Sequence, residues 1–329
     1  MISPSNREKE EKILSKPSKK KKGRWTKNDT ELTVMALPTT IWYILFCFLP
    51  MFGLIIAFKN YKITGGKSFI YNLLHSDWAG FKNFSFLIRS NDLFVILRNT
   101  ILYNLAFIVL GMVVSVGLAI MISLMRNKRA SKVYQTMMFF PYFMSWVVAS
   151  YFLDAFLNQD NGLINSIMRN AGKEPIQWYM SAGVWPFILI FMYLWKSTGY
   201  NMVIYLSSIS GIDTTLYEAA VMDGANKRQQ VWHITLPCLK SVIIMMFILN
   251  VGKVFYSDFG LFFQLSQGAS GSIFKTTATI DTYVYNALQS STPIGMTSAA
   301  TFFQSVACCI TILLANAIVK KIDEDSAII

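Results

Sequence analysis

Six apolar runs, each long enough to cross a bilayer, leave this chain few ways to fold. They fall at about 32–57, 99–124, 133–157, 184–207, 240–263 and 295–319. A hydrocarbon core roughly 30 Å thick needs about 20 mostly apolar residues in helical form. Backbone groups in lipid must be satisfied within the segment, so runs of this length predict helices rather than an open sheet. Hydrophobic residues make up 53% and charged residues 15% of the 329, more apolar surface than a soluble core of this size needs. The fourth run is the most interrupted, by Pro186, Lys196, Gly199 and Asn201. The expected fold class is an all-α membrane protein with six transmembrane helices.

Charge sets the expected orientation. The first thirty residues carry ten Lys/Arg against four acids, including Lys19 to Lys22, and the loop after the second run holds Arg126, Lys128, Arg129 and Lys132. Lys227 and Arg228 lie between the fourth and fifth runs, and Lys320 and Lys321 follow the last. The excess of cations places these segments on the cytoplasmic side, with both termini there, in a multi-pass protein of the cell membrane. Lys59, Lys62, Lys67, Lys82 and Arg89 in the first outer loop run against this bias. The basic start reads as a flexible, lipid-facing tail over residues 1–30 rather than a nucleic-acid-binding arm. Residues 31–322 form the expected six-helix transmembrane domain, and 323–329 a short cytoplasmic tail. The run from Leu32 to Phe58 is too long for a cleaved signal core and reads as an uncleaved span.

Nothing in the chain suggests catalysis. It has no phosphate-binding Gly-x-x-x-x-Gly-Lys-Ser/Thr string, no HExxH and no Gly-x-Ser-x-Gly elbow. His75 and His233 are isolated, and Cys47, Cys238, Cys308 and Cys309 show no metal-ligand spacing. No catalytic residue, metal or cofactor is expected.

The loop between the fourth and fifth runs, residues 210–238, is the most specific local signal. Thr215 and Glu218 stand at capping-box spacing, so a short helix is predicted from Asp213 or Thr214, with Gly224 supplying the left-handed residue that ends it. Ala219 and Ala220 keep one side of that helix thin, which allows close approach by another surface. Pro237 marks the passage into the next span.

Glu218-Ala219-Ala220, Asp223-Gly224-Ala225 and Ile234-Thr235-Leu236-Pro237 resemble the EAA loop of ABC importer permeases, the membrane subunits of binding-protein-dependent uptake systems. The resemblance implies a type I importer permease fold in which this loop is a cytoplasmic coupling helix seated in an ATPase subunit. Glu218, Ala219, Ala220, Asp223, Gly224 and Arg228 are the implied coupling residues. Many relatives place proline after the isoleucine that opens the loop, whereas this chain has Ile212-Asp213, and Asp213 can cap the helix instead. Trp78-Ala79-Gly80-Phe81-Lys82-Asn83-Phe84, Arg98-Asn99-Thr100 and Ile280-Asp281-Thr282-Tyr283-Val284-Tyr285 narrow the resemblance to the carbohydrate branch. Within it the chain is similar to oligo- and polysaccharide permeases of the lipoprotein-linked, aldouronate, rhamnogalacturonan and alginate group. The implied partners are a second homologous permease, an ABC ATPase dimer, an extracytoplasmic solute-binding protein or lipoprotein and an oligosaccharide. The implied cycle is alternating access, with ATP hydrolysed by the separate subunits.

The substrate path has to be read from the residues themselves. Lys196 and Lys253 fall near the middle of the fourth and fifth runs, where charge is costly and seldom faces lipid. Asn250 precedes Lys253 by three positions and shares its helix face. Either these groups satisfy one another or a carboxylate such as Asp258, or they line a path that favours an acidic saccharide. Trp146, Tyr193, Trp195, Tyr200 and Tyr256 are candidates for stacking on sugar rings; Trp178, Tyr179 and Trp185 fit an outer aromatic belt. Gly268-Ala269-Ser270-Gly271-Ser272 reads as a flexible part of the last outer loop. The competing class is a six-span secondary carrier or channel with no ATPase, which gives no reason for the EAA string.

Overall fold

The computed structural model describes residues 27–85, 92–290 and 292–322. Arg89, most of the basic tail and the segment 323–329 lie outside the described residues. Among the described residues five helical stretches are long and apolar enough to span a membrane: Lys27–Phe58, Leu93–Ser123, Ala182–Ser210, Lys227–Val251 and Ile294–Lys321. A further apolar pair, Lys128–Phe143 and Trp146–Leu157, meets at 99° and makes a sixth, broken span if the two are counted as one.

The chain falls into two units, divided after Leu54. In the first, α1 (Lys27–Tyr43) begins inside the expected tail and continues through a π-turn at Ile44–Phe48. It exposes Leu32, Met35 and Phe46, surface that lipid or another subunit must cover.

The second unit, from Ile55, holds the rest. A two-residue antiparallel ladder pairs Lys59 with Trp78 and Asn60 with Asp77, flanking α2 (Phe69–His75). Asn83 ties this element down by donating to the carbonyls of Ala57 and Lys59, both at 2.9 Å. Then come α3 (Leu93–Ser123), α4 (Lys128–Phe139), α5 (Trp146–Leu157), α6 (Leu163–Asn170) and α7 (Trp185–Ser210). The loop helix α8 (Thr214–Met222) and α9 (Lys227–Gln230) lead into α10 (Leu236–Val251). Three short helices, α11 (Phe259–Leu265), α12 (Phe274–Thr277) and α13 (Ile280–Gln289), precede α14 (Ile294–Ile322).

Three apolar clusters hold the helices together, a small one joining Ile96 to Ala278 and Ile280 and two larger ones. One joins Tyr103 and Phe107 of α3 to Leu153 of α5, Trp185 and Leu189 of α7, and Leu261 and Phe262 of α11. The other joins Val116 and Ala119 to Met202, Tyr205 and Leu239. Trp185 is fully buried and donates to the carbonyl of Trp178 at 3.0 Å, so it is a packing residue and not part of an outer belt.

The fifth span is shorter than the apolar run that encodes it. The helix stops at Val251, and residues 252–258 form turns and irregular backbone before α11 begins. Non-helical backbone at membrane depth needs partners from the protein. Asn104 on α3 supplies two, donating to the carbonyls of Val254 and Tyr256, both at 2.9 Å. Gln304 on α14 donates to Phe255 O at 2.6 Å, and Asp281 accepts from the Ser257 N–H and hydroxyl, each at 2.7 Å. Arg98-Asn99-Thr100 braces the neighbouring loop in the same way. Asn99 donates to Ala278 O at 2.9 Å and the Thr100 hydroxyl accepts from Ile280 N at 3.0 Å. Asn99, Thr100 and Asn104 lie about 150–180 positions from these partners, so no local pattern could announce the bonds.

The glycine-rich segment 268–272 is pinned rather than loose. Gln267 and Ala269 hold φ of 53° and 51°, Ala269 is buried, and Ser266 Oγ accepts from its N–H at 2.8 Å. Asn286 donates to Gly268 O at 2.9 Å.

Candidate functional site

The loop 210–238 folds as a closed unit. Asp213 is the N-cap of α8: its carboxylate accepts from Thr215 N at 2.9 Å, which holds the Asp213 carboxyl below the usual carboxylate range. The cap is therefore Asp213, the residue the sequence offers in place of the usual proline, rather than the Thr215–Glu218 box that spacing alone suggests. At the other end Ala225 N donates to Ala220 O at 2.8 Å and Gly224 N to Val221 O at 3.0 Å, with Gly224 at φ +80°. This is a Schellman ending, with the glycine where the predicted left-handed residue falls. A capping box does occur, one element later: Asn226 Oδ1 accepts from Gln229 N at 2.9 Å and Gln229 Oε1 from Asn226 N at 2.8 Å.

Two bonds fasten the loop to itself on its inner side. Tyr217 and Thr235 share their hydroxyls at 2.9 Å, and the buried Gln230 donates to Ala225 O at 3.0 Å. Pro237 does not interrupt the following span; a π-turn at Val231–Thr235 absorbs its missing N–H, and the helix runs on. The opposite side of the loop is bare. Glu218, Ala219, Asp223, Gly224 and Arg228 are exposed and Ala220 is half-buried. Beside them Met222 is 87% exposed and Val221, Leu216 and Trp232 about half or more, apolar knobs on a rigid frame with no covering group among the described residues.

The second arrangement lies at the bend between the apolar helices Lys128–Phe143 and Trp146–Leu157. Pro141 sits in a 3₁₀ turn over Phe140–Phe143, and Ser145 adopts extended geometry and caps α5 by accepting from Val148 N at 3.2 Å. Such a break leaves carbonyls without helical partners. Lys196 of α7 meets two of them, its ammonium donating to Tyr142 O at 2.8 Å and Met144 O at 2.6 Å. The same Nζ lies 5.5 Å from the Tyr142 ring centroid and 5.3 Å from that of Trp146. One turn on, Gly199 lies so close to α4 that a Cβ there would overlap the Met138 carbonyl.

These groups open onto a cleft of about 460 Å³ lined by Tyr142, Ser145, Trp146, Tyr193, Lys196 and Asp258, among others. Asp258 accepts from Trp146 Nε1 at 2.7 Å and caps α11 through Leu261 N at 3.2 Å. Tyr200 stacks on Tyr142 with centroids 4.5 Å apart and 12° between planes. Lys196 has three donors and two are engaged, so one remains for a ligand oxygen.

The remaining sequence candidates lie elsewhere. Trp195 lines a separate, mostly apolar groove with Phe191 and Met137. Asn250 donates to Met246 O at 2.7 Å, within its own helix, and Tyr256 shares a hydrogen bond with Ser305 at 2.8 Å. Lys253 falls past the end of α10, exposed, and so is not a mid-helix charge. No ion pair joins Lys196 or Lys253 to a carboxylate among the described residues. Tyr142 is a site residue that the sequence pattern does not single out, although Pro141 and Ser145 are local signs of the bend beside it.

A helical bundle with a broken span, a polar cleft at the break and a rigid, uncovered loop helix has the architecture of a membrane transport permease. Residues 111–324 match the family described as binding-protein-dependent transport system inner membrane component, and the chain belongs to it. It is 33% identical over 294 residues to the polygalacturonan/rhamnogalacturonan transport system permease protein YteP of Bacillus subtilis (strain 168), covering 89% of each chain. It is 31% identical over 299 residues to protein LplB of the same organism, covering 91% of each. Among solved structures it resembles a chain of a bacterial ABC transporter involved in the import of the acidic polysaccharide alginate. That match has a TM-score of 0.79 and 28% identity, over 90% of this chain and 97% of the other.

Proposed function

We propose that this permease moves an acidic oligosaccharide into the cell as one of two membrane subunits, driven by separate ATPases and supplied by an extracytoplasmic binding protein. α8 is the coupling helix. The observation that carries this reading is the contrast between its two sides: Schellman ending, Asp213 cap and Tyr217–Thr235 bond within, exposed Leu216, Val221 and Met222 without. Exposed large apolar residues on a braced helix are what a partner pocket recognises. Glu218, Ala219, Ala220, Asp223, Gly224 and Arg228 complete that face. A YteP-like sequence and the alginate importer's fold support a saccharide substrate, and the cleft supplies aromatic faces in Tyr142 and Trp146 with a cation between them. Nucleotide binding drives the cycle only through different affinities for the inward- and outward-open states.

The substrate reading is tested in vesicles holding the assembled importer. Lys196→Met is expected to slow uptake of an acidic oligosaccharide roughly tenfold more than that of its neutral counterpart, the scale of a lost hydrogen bond to a charged group. Lys253→Met is expected to leave that ratio unchanged. Equal losses for both sugars would assign Lys196 to holding the bend alone.

Orientation follows from the charge bias, with the α3–α4 and α7–α10 loops and both termini inside. Single cysteines at the exposed positions Asn127, Gln229, Lys173 and Ser270, with the four native cysteines replaced, give the check. An impermeant maleimide added to intact cells is expected to label Lys173→Cys and Ser270→Cys only. Labelling of Gln229→Cys would remove the coupling assignment.

A further inference from the structure

A second cleft lies away from the substrate cleft, between α8–α9 and the ends of α3, α4 and α7. Its volume is about 580 Å³, within the range of small-molecule sites. Lys128 and Lys132, four residues apart on one face of α4, line it, and Lys227 of α9 lines it from the loop side. Ser131, Ser207 and Ser210 add hydroxyls, and no Asp or Glu lines it. Lys227 donates to Gln230 Oε1 at 3.1 Å; the ammonium groups of Lys128 and Lys132 have no partner among the described residues. Three like charges around one concavity repel one another, and an anion seated there would remove that repulsion.

We propose that this cleft binds the phosphate of an anionic phospholipid headgroup. The proposal rests on the orientation given above, which puts the cleft at the headgroup level of the inner leaflet. Basic pockets between spans on that side suit lipid headgroups. Because the cleft walls are α4 on one side and the root of the coupling loop on the other, an occupied cleft joins the two. Lipid composition would then bear on how firmly α8 is held for its ATPase.

The test is retention of phosphatidylglycerol by the purified importer, read by native mass spectrometry after exchange into neutral detergent. Lys128→Gln/Lys132→Gln is expected to weaken retention roughly thirtyfold, at the usual contribution of a basic residue near an anionic surface. Arg126→Gln/Arg129→Gln removes the same charge from the same stretch but not from the cleft lining, and should retain lipid. Lys128→Arg/Lys132→Arg keeps the charge and should also retain it, which controls for folding. Equal loss in both glutamine doubles would reduce the effect to general surface attraction and overturn the site. Inorganic phosphate alone shielding Lys128 and Lys132 from amine acylation, with no shielding by phosphatidylglycerol, would overturn the lipid source. Outside labelling of Asn127→Cys in the same cells would sink the orientation instead, leaving the lysine dependence of retention legible.

Discussion

Gly224→Val is expected to abolish substrate-stimulated ATP hydrolysis by the assembled importer, or to release the ATPase on purification, while both permeases stay in the membrane. The residue stands at φ +80°, and a Cβ built on it would meet nothing within 4 Å. Crowding of the Cβ by the described residues therefore adds nothing, and the main penalty is that of the backbone. A left-handed L-residue costs roughly 1–2 kcal/mol, and a β-branched one is a genuine outlier there. Relaxing toward negative φ would break the two bonds that end α8, Ala225 N to Ala220 O and Gly224 N to Val221 O. Met222, Val221 and Asp223 would then lose their fixed bearing. Gly224→Asn tolerates the left-handed region and should keep most of the activity. If asparagine fails as completely as valine, the loss comes from bulk against a partner and not from the turn. Glu218→Lys, which leaves the turn intact and reverses an exposed charge, should weaken ATPase retention without changing α8 itself. Normal stimulated hydrolysis in a well-assembled Gly224→Val complex would remove the coupling helix from the account.

That loop is legible in the sequence because its determinants are local. Asp213, Gly224 and Pro237 act within a few residues of where they stand, so residue types and spacing suffice to place the helix and its end. The choice of cap is equally local: Asp213, not the Thr215–Glu218 pair, takes it, since an Asp immediately before the first turn reaches Thr215 N directly. The membrane interior is readable only as apolar runs. The third run contains a 99° bend, and the carbonyls exposed there are met by Lys196, more than fifty residues on. The fifth run conceals a break after Val251 because residues 252–263 remain apolar enough to pass for helix. What replaces the helix, Asn104, Asp281 and Gln304, comes from three other elements. Lys253 is displaced with it: counting 1.5 Å per residue assumes the helix continues, and it does not.

The bend makes the second large effect predictable. Gly199→Ala should lower saccharide uptake at least tenfold and reduce the thermal midpoint of the purified importer, though it adds one methyl group. The new Cβ would overlap the Met138 carbonyl and come within 2.8 Å of Phe139 N, both backbone atoms that no rotamer change can move aside. Relief requires α4 to slide from α7, and overpacking of this kind costs typically about 1–3 kcal/mol or more. Small residues are what let membrane helices approach this closely. The displacement also carries Tyr142 and Met144 away from Lys196, one turn earlier on the same helix, so two carbonyls in the membrane would lose their donor. Lys196→Met keeps the close approach but removes the donor, and should cost less stability than Gly199→Ala while sharing the transport defect. Gly117→Ala on α3, where a Cβ meets nothing within 4 Å, should be neutral or slightly stabilising, as alanine for glycine in a helix usually is. A Gly199→Ala importer with an unchanged midpoint and normal uptake would show that α4 and α7 need not meet at Met138, and the cleft at the bend would lose its fixed geometry.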